Sequence, residues 1–266
     1  MAYRFEQFQR AHLREALCFD QAKQAGEPLP DFDLPTTRGG RARKADYAGS
    51  RPVLISLASL TDPVAASAAP VLHKLYQEFG DDVAFLTLYV REAHPGDHVR
   101  QPRDMRWKLR HANMLQRRDA ISWPIAVDDL EGTLHRALGA SSGASAFLAD
   151  ASGDVVFRAL WSNDEAALRE ALVAVRCGTR PPPARDVRVL PMLLGLSRYD
   201  EVVRAAGPRA IADLRREAPV LYGAAEVAWV WRSLTPVGRA ALSLAAAATA
   251  TAVVGGLRYA SRRRFV

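Results

Sequence analysis

Two unbroken apolar runs, VLISLAS at residues 53–59 and VAFLTLYV at 83–90, flank a stretch patterned as a helix. Between Pro63 and Gly80, Val64, Ala68, Val71, Leu72, Leu75 and Phe79 recur at helical spacing. Runs with no charge and only the small hydroxyl residues Ser56, Ser59 and Thr87 among apolar ones have no polar face to give to water, so such strands must be covered on both sides. Two such strands joined by a helix read as parallel neighbours. Residues 53–90 therefore predict a βαβ unit inside a sheet with layers above and below it.

The flanking segments extend that unit. LPDFDLPTT and RARKADY stand either side of Gly39-Gly40 and predict a short hairpin. After residue 90 the pattern gives a helix near 104–116, a short strand at Ile125–Val127 and a helix near 130–138 capped by Asp128 or Asp129. SAFLAD and DVVFRALW, joined through Ala151-Ser152-Gly153, predict an antiparallel pair. Ser162-Asn163-Asp164-Glu165 reads as a capping box before a last helix with Leu168, Leu172 and Val175 on one side. The result is an α/β, thioredoxin-like three-layer domain with a central mixed sheet over residues 27–176, preceded by an N-terminal helix over 1–26. Phe5, Phe8, Leu13 and Leu17 fit one side of that helix, which is expected to pack on the domain.

The segments also resemble a known group. GEPLPDFDLPTT, DYAG and RPVLISLASLTDP are similar to the opening of the redoxins, the alkyl hydroperoxide reductase and thiol-specific antioxidant relatives of thioredoxin. FLTLYVREAHPGD, with its Glu-Ala-His segment, resembles more narrowly the iodothyronine deiodinase branch, and WPIAVDD and FLADASGDVVFRALW fit the later strands. The resemblance spans about residues 27–175. It implies an oxidoreductase whose cysteine or selenocysteine stands before the first long helix, where free N–H groups and the helix dipole stabilise the anion. SLTDP puts Asp62 at that position. The same field is expected to keep the carboxylate ionised, and a carboxylate performs no thiol exchange. The group's cis-proline is missing too, its place being taken by Gly143-Ala144-Ser145. The candidate pocket is Thr61, Asp62, Glu92, His94, Trp123, Gly143 and Ala144, with Asp62 read first as a helix cap and Glu92 and His94 as residues that order their loop. His94 and His98 are not a metal pair, since Pro95-Gly96 makes their segment a loop. No metal and no cofactor are expected.

The two cysteines, Cys18 and Cys177, form no metal or disulfide framework, which leaves them as possible redox thiols or partners in a regulatory disulfide. Charge separates the chain into unlike parts. Residues 1–179 hold 22 Lys and Arg against 23 Asp and Glu, whereas residues 180–266 hold 14 against 6. The basic excess points to a membrane or an acidic partner, and no nucleic-acid motif accompanies it. A proline-rich linker over 177–188 leads to a helical segment over 189–236 and then to an apolar helix over 237–258, with a basic tail over 259–266. AALSLAAAATATAVVGGL, residues 240–257, carries no charge and is bracketed by Arg239 and Arg258. As a helix it spans roughly 27 Å, close to the roughly 30 Å of bilayer hydrocarbon. Trp229, Trp231 and Tyr259 suit an interface. A spanning helix, an interfacial helix with VLYGAAEVAWVW beside it, and a buried soluble helix all stay open. The functional expectation is a membrane-associated redoxin-fold protein, its domain in the cytoplasm, that binds membrane lipid through the C-terminal segment and a protein partner, and binds no nucleic acid. The alternative is a thiol-dependent, peroxide-reducing enzyme using Cys18 or Cys177.

Overall fold

A computed structural model describes residues 3–140, 142–183 and 189–233. Seven strands form one sheet: β1 (Asp33–Thr36), β2 (Gly40–Arg43), β3 (Val53–Ala58), β4 (Ala84–Tyr89), β5 (Ile125–Val127), β6 (Ala146–Ala149) and β7 (Val155–Ala159), in the order β2-β1-β5-β4-β3-β6-β7. β3 runs parallel to β4 and β4 to β5, with Val53 opposite Ala84 and Thr87 opposite Ile125. β6 and β7 close one side antiparallel, and the β1–β2 hairpin closes the other. Every residue of β3, β4 and β5 is buried, as their unbroken apolar runs require. This is a thioredoxin-like mixed α/β fold.

Helices α1 (Arg10–Ala16), α2 (Pro63–Phe79), α3 (Met105–Arg118), α4 (Thr133–Ala137) and α5 (Glu165–Arg176) surround the sheet. α2 begins because Asp62 caps it and Pro63 has no N–H to leave unpaired in the first turn. It buries Ala68, Leu72, Leu75 and Phe79 against the sheet side, the face its spacing indicated.

Local details differ from the sequence pattern. The N-terminal helix is short, and Phe5 and Phe8 lie in the extended arm before it rather than on its side. That arm is fixed by tertiary contacts: Phe8 is buried, the Tyr3 hydroxyl lies 3.0 Å from His135 Nδ1, and the Arg91 guanidinium sits over the Tyr3 and Phe5 rings. Residues 130–138 contain only the short α4. Asp128 and Asp129 serve it from a distance, accepting from Leu134 N, His135 N and Thr133 N across the turn at Gly132. The Ser162 box does not form. Asp164 caps α5 by accepting from Ala167 N, because Ser162 is held by its N–H to Ala144 O in the neighbouring loop.

Beyond the linker come α6 (Val189–Leu196), a π-helical turn at Asp200–Arg204, α7 (Pro208–Glu217) and α8 (Pro219–Ser233). These helices dock on the thioredoxin-like domain. Gly195 lies so close to α2 that a Cβ there would stand 2.8 Å from Val64 Cγ2. A Cβ at Gly96 would meet Ala206 O at 2.2 Å. Hydrogen bonds from Asn163 Nδ2 to Pro191 O and from His98 N to Ala206 O, with Arg209 N to Asp97 Oδ2, fasten the contact. Residues 240–257 lie outside the described residues. Among the described residues no helix is long and apolar enough to cross a membrane.

Candidate functional site

The end of β3 delivers Ser59, Leu60, Thr61 and Asp62 to the N-terminus of α2, and the end of β4 delivers Arg91, Glu92, Ala93 and His94 beside them. Parallel pairing makes these neighbours, since Ala58 stands opposite Tyr89. Two connected environments result, one dry and polar, the other a cavity.

The polar centre is Glu92, which has no exposed surface. Its Oε2 accepts from Thr61 N at 3.1 Å and from the Thr61 hydroxyl at 2.8 Å. Its Oε1 accepts a short bond from the Tyr89 hydroxyl and lies 3.0 Å from His111 Nδ1. Gln101 clasps the Glu92 backbone at both N–H and C=O. The Thr61 hydroxyl then accepts from His94 N at 3.1 Å, and Tyr89 accepts from Leu60 N at 3.2 Å. The nucleophile-position loop and the Glu-Ala-His loop are thus one hydrogen-bonded unit with Glu92 at its hub. Burial and the neighbouring Glu92 raise the Tyr89 hydroxyl far above the usual phenol range, so it stays a donor.

Asp62 faces the other way. Its Oδ1 accepts from Val64 N at 2.9 Å and Ala65 N at 3.1 Å, and its Oδ2 accepts nothing among the described residues. The side chain borders a cavity of about 110 Å³. Pro63, Gly143 and Trp161 line it from the thioredoxin-like domain, Phe5, Phe8 and Leu13 from the N-terminal arm and α1, and Met192, Leu196 and Leu221 from the C-terminal helices. The helix field, expected to keep Asp62 ionised, is opposed by this setting. Burial pushes its pKa up to about 6, with Glu92 adding to the rise, against the Ala65 and Val64 N–H bonds and Arg118. His94, partly buried against the Phe8 ring at 4.4 Å, is driven down to about 4 by burial and by nearby His12, so it is a neutral imidazole at physiological pH.

Of the residues singled out in the sequence, Asp62, His94 and Gly143 border the cavity. Thr61 and Glu92 lie behind them in the polar network. Ala144 is buried, its N–H bonded to Ser142 Oγ and its carbonyl to Ser162 N. Trp123 is elsewhere: its Nε1 donates to Thr87 Oγ1, and its ring packs on His73, Tyr76 and Phe85. Cys18 and Cys177 are both exposed free thiols, and neither lines the cavity. Every described peptide bond is trans, in keeping with the missing proline near Ala144. Among the described residues no cluster of His, Cys, Asp or Glu is arranged to hold a metal ion.

Several site residues carry no local signal. Tyr89 and Gln101 look like core and loop, and His111 sits in the middle of a basic helix. Only the fold brings them to Glu92. The cavity roof comes from residues 189–221, which the proline-rich linker had suggested as a separate segment.

Residues 4–126 match the family model of iodothyronine deiodinase. The match begins within the N-terminal arm, before the start near residue 27 that the sequence motifs indicate, and ends at residue 126, short of the 175 to which they extend. Thyroxine 5-deiodinase of Gallus gallus is 28% identical over 137 residues, covering 47% of this chain and 53% of that protein. The Homo sapiens thyroxine 5-deiodinase is 26% identical over 210 residues, covering 73% of this chain and 59% of that one. The chain thus spans only about half the length of the curated relatives it matches. A thioredoxin-family thiol:disulfide interchange protein of Chlorobium tepidum superposes with a TM-score of 0.45 at 18% identity, over 56% of this chain and 96% of that one. Over the residues matched, the chain is similar to the iodothyronine deiodinases.

Proposed function

We propose that this chain is a membrane-tethered, deiodinase-like protein that acts by binding rather than by thiol redox chemistry, with Asp62 standing where its redoxin relatives carry the nucleophile. One observation carries the reading. The α2 N-terminus holds a carboxyl group committed to Val64 N and Ala65 N on one oxygen and open to a mostly apolar cavity on the other, and neither cysteine lines that cavity. A carboxylate forms neither a sulfenic acid nor a mixed disulfide, so the relatives' redox cycle has no starting point here. What remains is a small, mostly apolar chamber with a few polar residues in its wall, Asp62, His12, Arg91, His94 and Ser142 among them, which is the composition of a binding pocket. The tether is the charge-free stretch 240–257 between Arg239 and Arg258, and it keeps the domain at a cytoplasmic membrane surface.

The test pairs two measurements on the full chain. Peroxide consumption and disulfide reduction with a thiol reductant are expected at background, identical in the wild type and in the Cys18→Ser/Cys177→Ser variant. Turnover in the wild type that vanishes in the variant would establish the thiol-enzyme alternative. Sedimentation with membranes is expected for the full chain and lost in a chain ending at residue 233.

A further inference from the structure

Large apolar side chains are exposed at eight described positions, and six of them lie on the C-terminal helices: Leu193, Leu194, Val220, Val227, Trp229 and Val230. Val220, Val227 and Val230 share one stripe of α8 at helical spacing, and Val220 is 82% exposed. Glu226, the one acidic residue of that helix, flanks the stripe beside Val230 and is drawn to Arg204, whose Nη2 donates to both its oxygens at 2.8 and 2.9 Å. The outward stripe of α8 itself is uncharged through Val230. Soluble surfaces scatter such residues singly, and a concentration of this kind marks an interaction surface.

We infer that the outer face of α6 and α8 is a docking surface for the membrane interface, so that the helices roofing the Asp62 cavity rest on lipid. This rests on the tether reading. Ser233 is the last described residue of α8, and the charge-free stretch starts at Ala240. Seven residue steps reach at most roughly 25 Å. A segment inserted from Ala240 therefore holds α8 close to the headgroups, and lipid is the apolar phase within reach. The excess of 14 basic over 6 acidic residues in 180–266 favours an anionic leaflet. Exposed aliphatic side chains of this kind suit the boundary between headgroups and acyl chains. The inner sides of the same two helices supply Met192, Leu196 and Leu221 to the cavity, so ligand entering through this roof would come from the bilayer.

The experiment uses the full chain with Cys18→Ser and Cys177→Ser, carrying Val227→Cys or, as a control, Met114→Cys on the exposed side of α3. Each variant is labelled with an environment-sensitive fluorophore and bound to phosphatidylcholine–phosphatidylglycerol vesicles. The label at 227 is expected to shift to the blue and to be quenched by lipids spin-labelled near the headgroup, while the label at 114 does neither. Sedimentation with the vesicles without quenching at 227 would overturn the docking surface and leave the tether standing. A blue shift without lipid quenching would do the same, by showing that another part of the chain or a second copy covers the stripe. Failure to sediment would overturn the tether reading and this inference with it.

Discussion

Replacing Asp62 by Asn should stabilise the protein at neutral pH, although Asp62 is a helix cap. Asn keeps an oxygen for Val64 N and Ala65 N, and it caps as well as Asp. It removes the buried charge. The folded-state pKa is about 6 and the ordinary carboxyl value 3.8. A difference of about two units at 1.36 kcal/mol each corresponds to about 3 kcal/mol. The sign follows from which state gives up its proton first. As pH rises from 4 toward 6 the unfolded chain ionises while the folded chain still holds the proton, so the wild type loses stability relative to Asp62→Asn. Well below pH 3.8 both states are protonated and the two proteins should be nearly equal. Above pH 7 the full gap of about 3 kcal/mol should appear. Urea unfolding read by the buried Trp123 and Trp161, at several pH values between 4 and 8, measures it directly. An Asn variant less stable than the wild type at pH 7.5, or a gap that does not change with pH, would refute the argument that burial dominates at Asp62.

Asp62→Ala isolates the cap: it should be less stable than Asp62→Asn by about 1 kcal/mol at every pH, and a pH-dependent gap between these two would contradict that. Glu92→Gln puts an NH₂ against Thr61 N–H and its hydroxyl or against Tyr89 and His111, and should cost about 2 kcal/mol in urea unfolding; an unchanged midpoint would show the network to be dispensable. Gly96→Ala forces a methyl group onto Ala206 O. Amide exchange should then accelerate in residues 189–233 more than in the sheet, and uniform exchange would mean that the C-terminal helices are not held at that contact.

The sequence by itself determined the sheet and the corner. Unbroken apolar runs at 53–59 and 83–90 can be satisfied only by strands covered on both faces, and Asp62-Pro63 fixes where α2 begins whatever surrounds it. Those are signals of local spacing, and local spacing survives in a one-dimensional reading. The tertiary structure decided the rest, because burial and long-range pairing leave no mark on neighbouring residues. Asp62 is a cap in sequence, but its titration follows from the arm, the Gly143 loop and the C-terminal helices that close over it. Glu92 is the end of a strand until Tyr89, Thr61 and His111 converge on it. Trp123, named with the pocket from its family-like segment, belongs instead to the aromatic packing around Thr87. Residues 189–233 read as a basic appendage beyond a proline linker, yet Gly96 and Gly195 let their backbone approach the domain closely enough to roof the cavity. Glycine permits such an approach and does not announce it; only the partner surface shows why the side chain had to be absent.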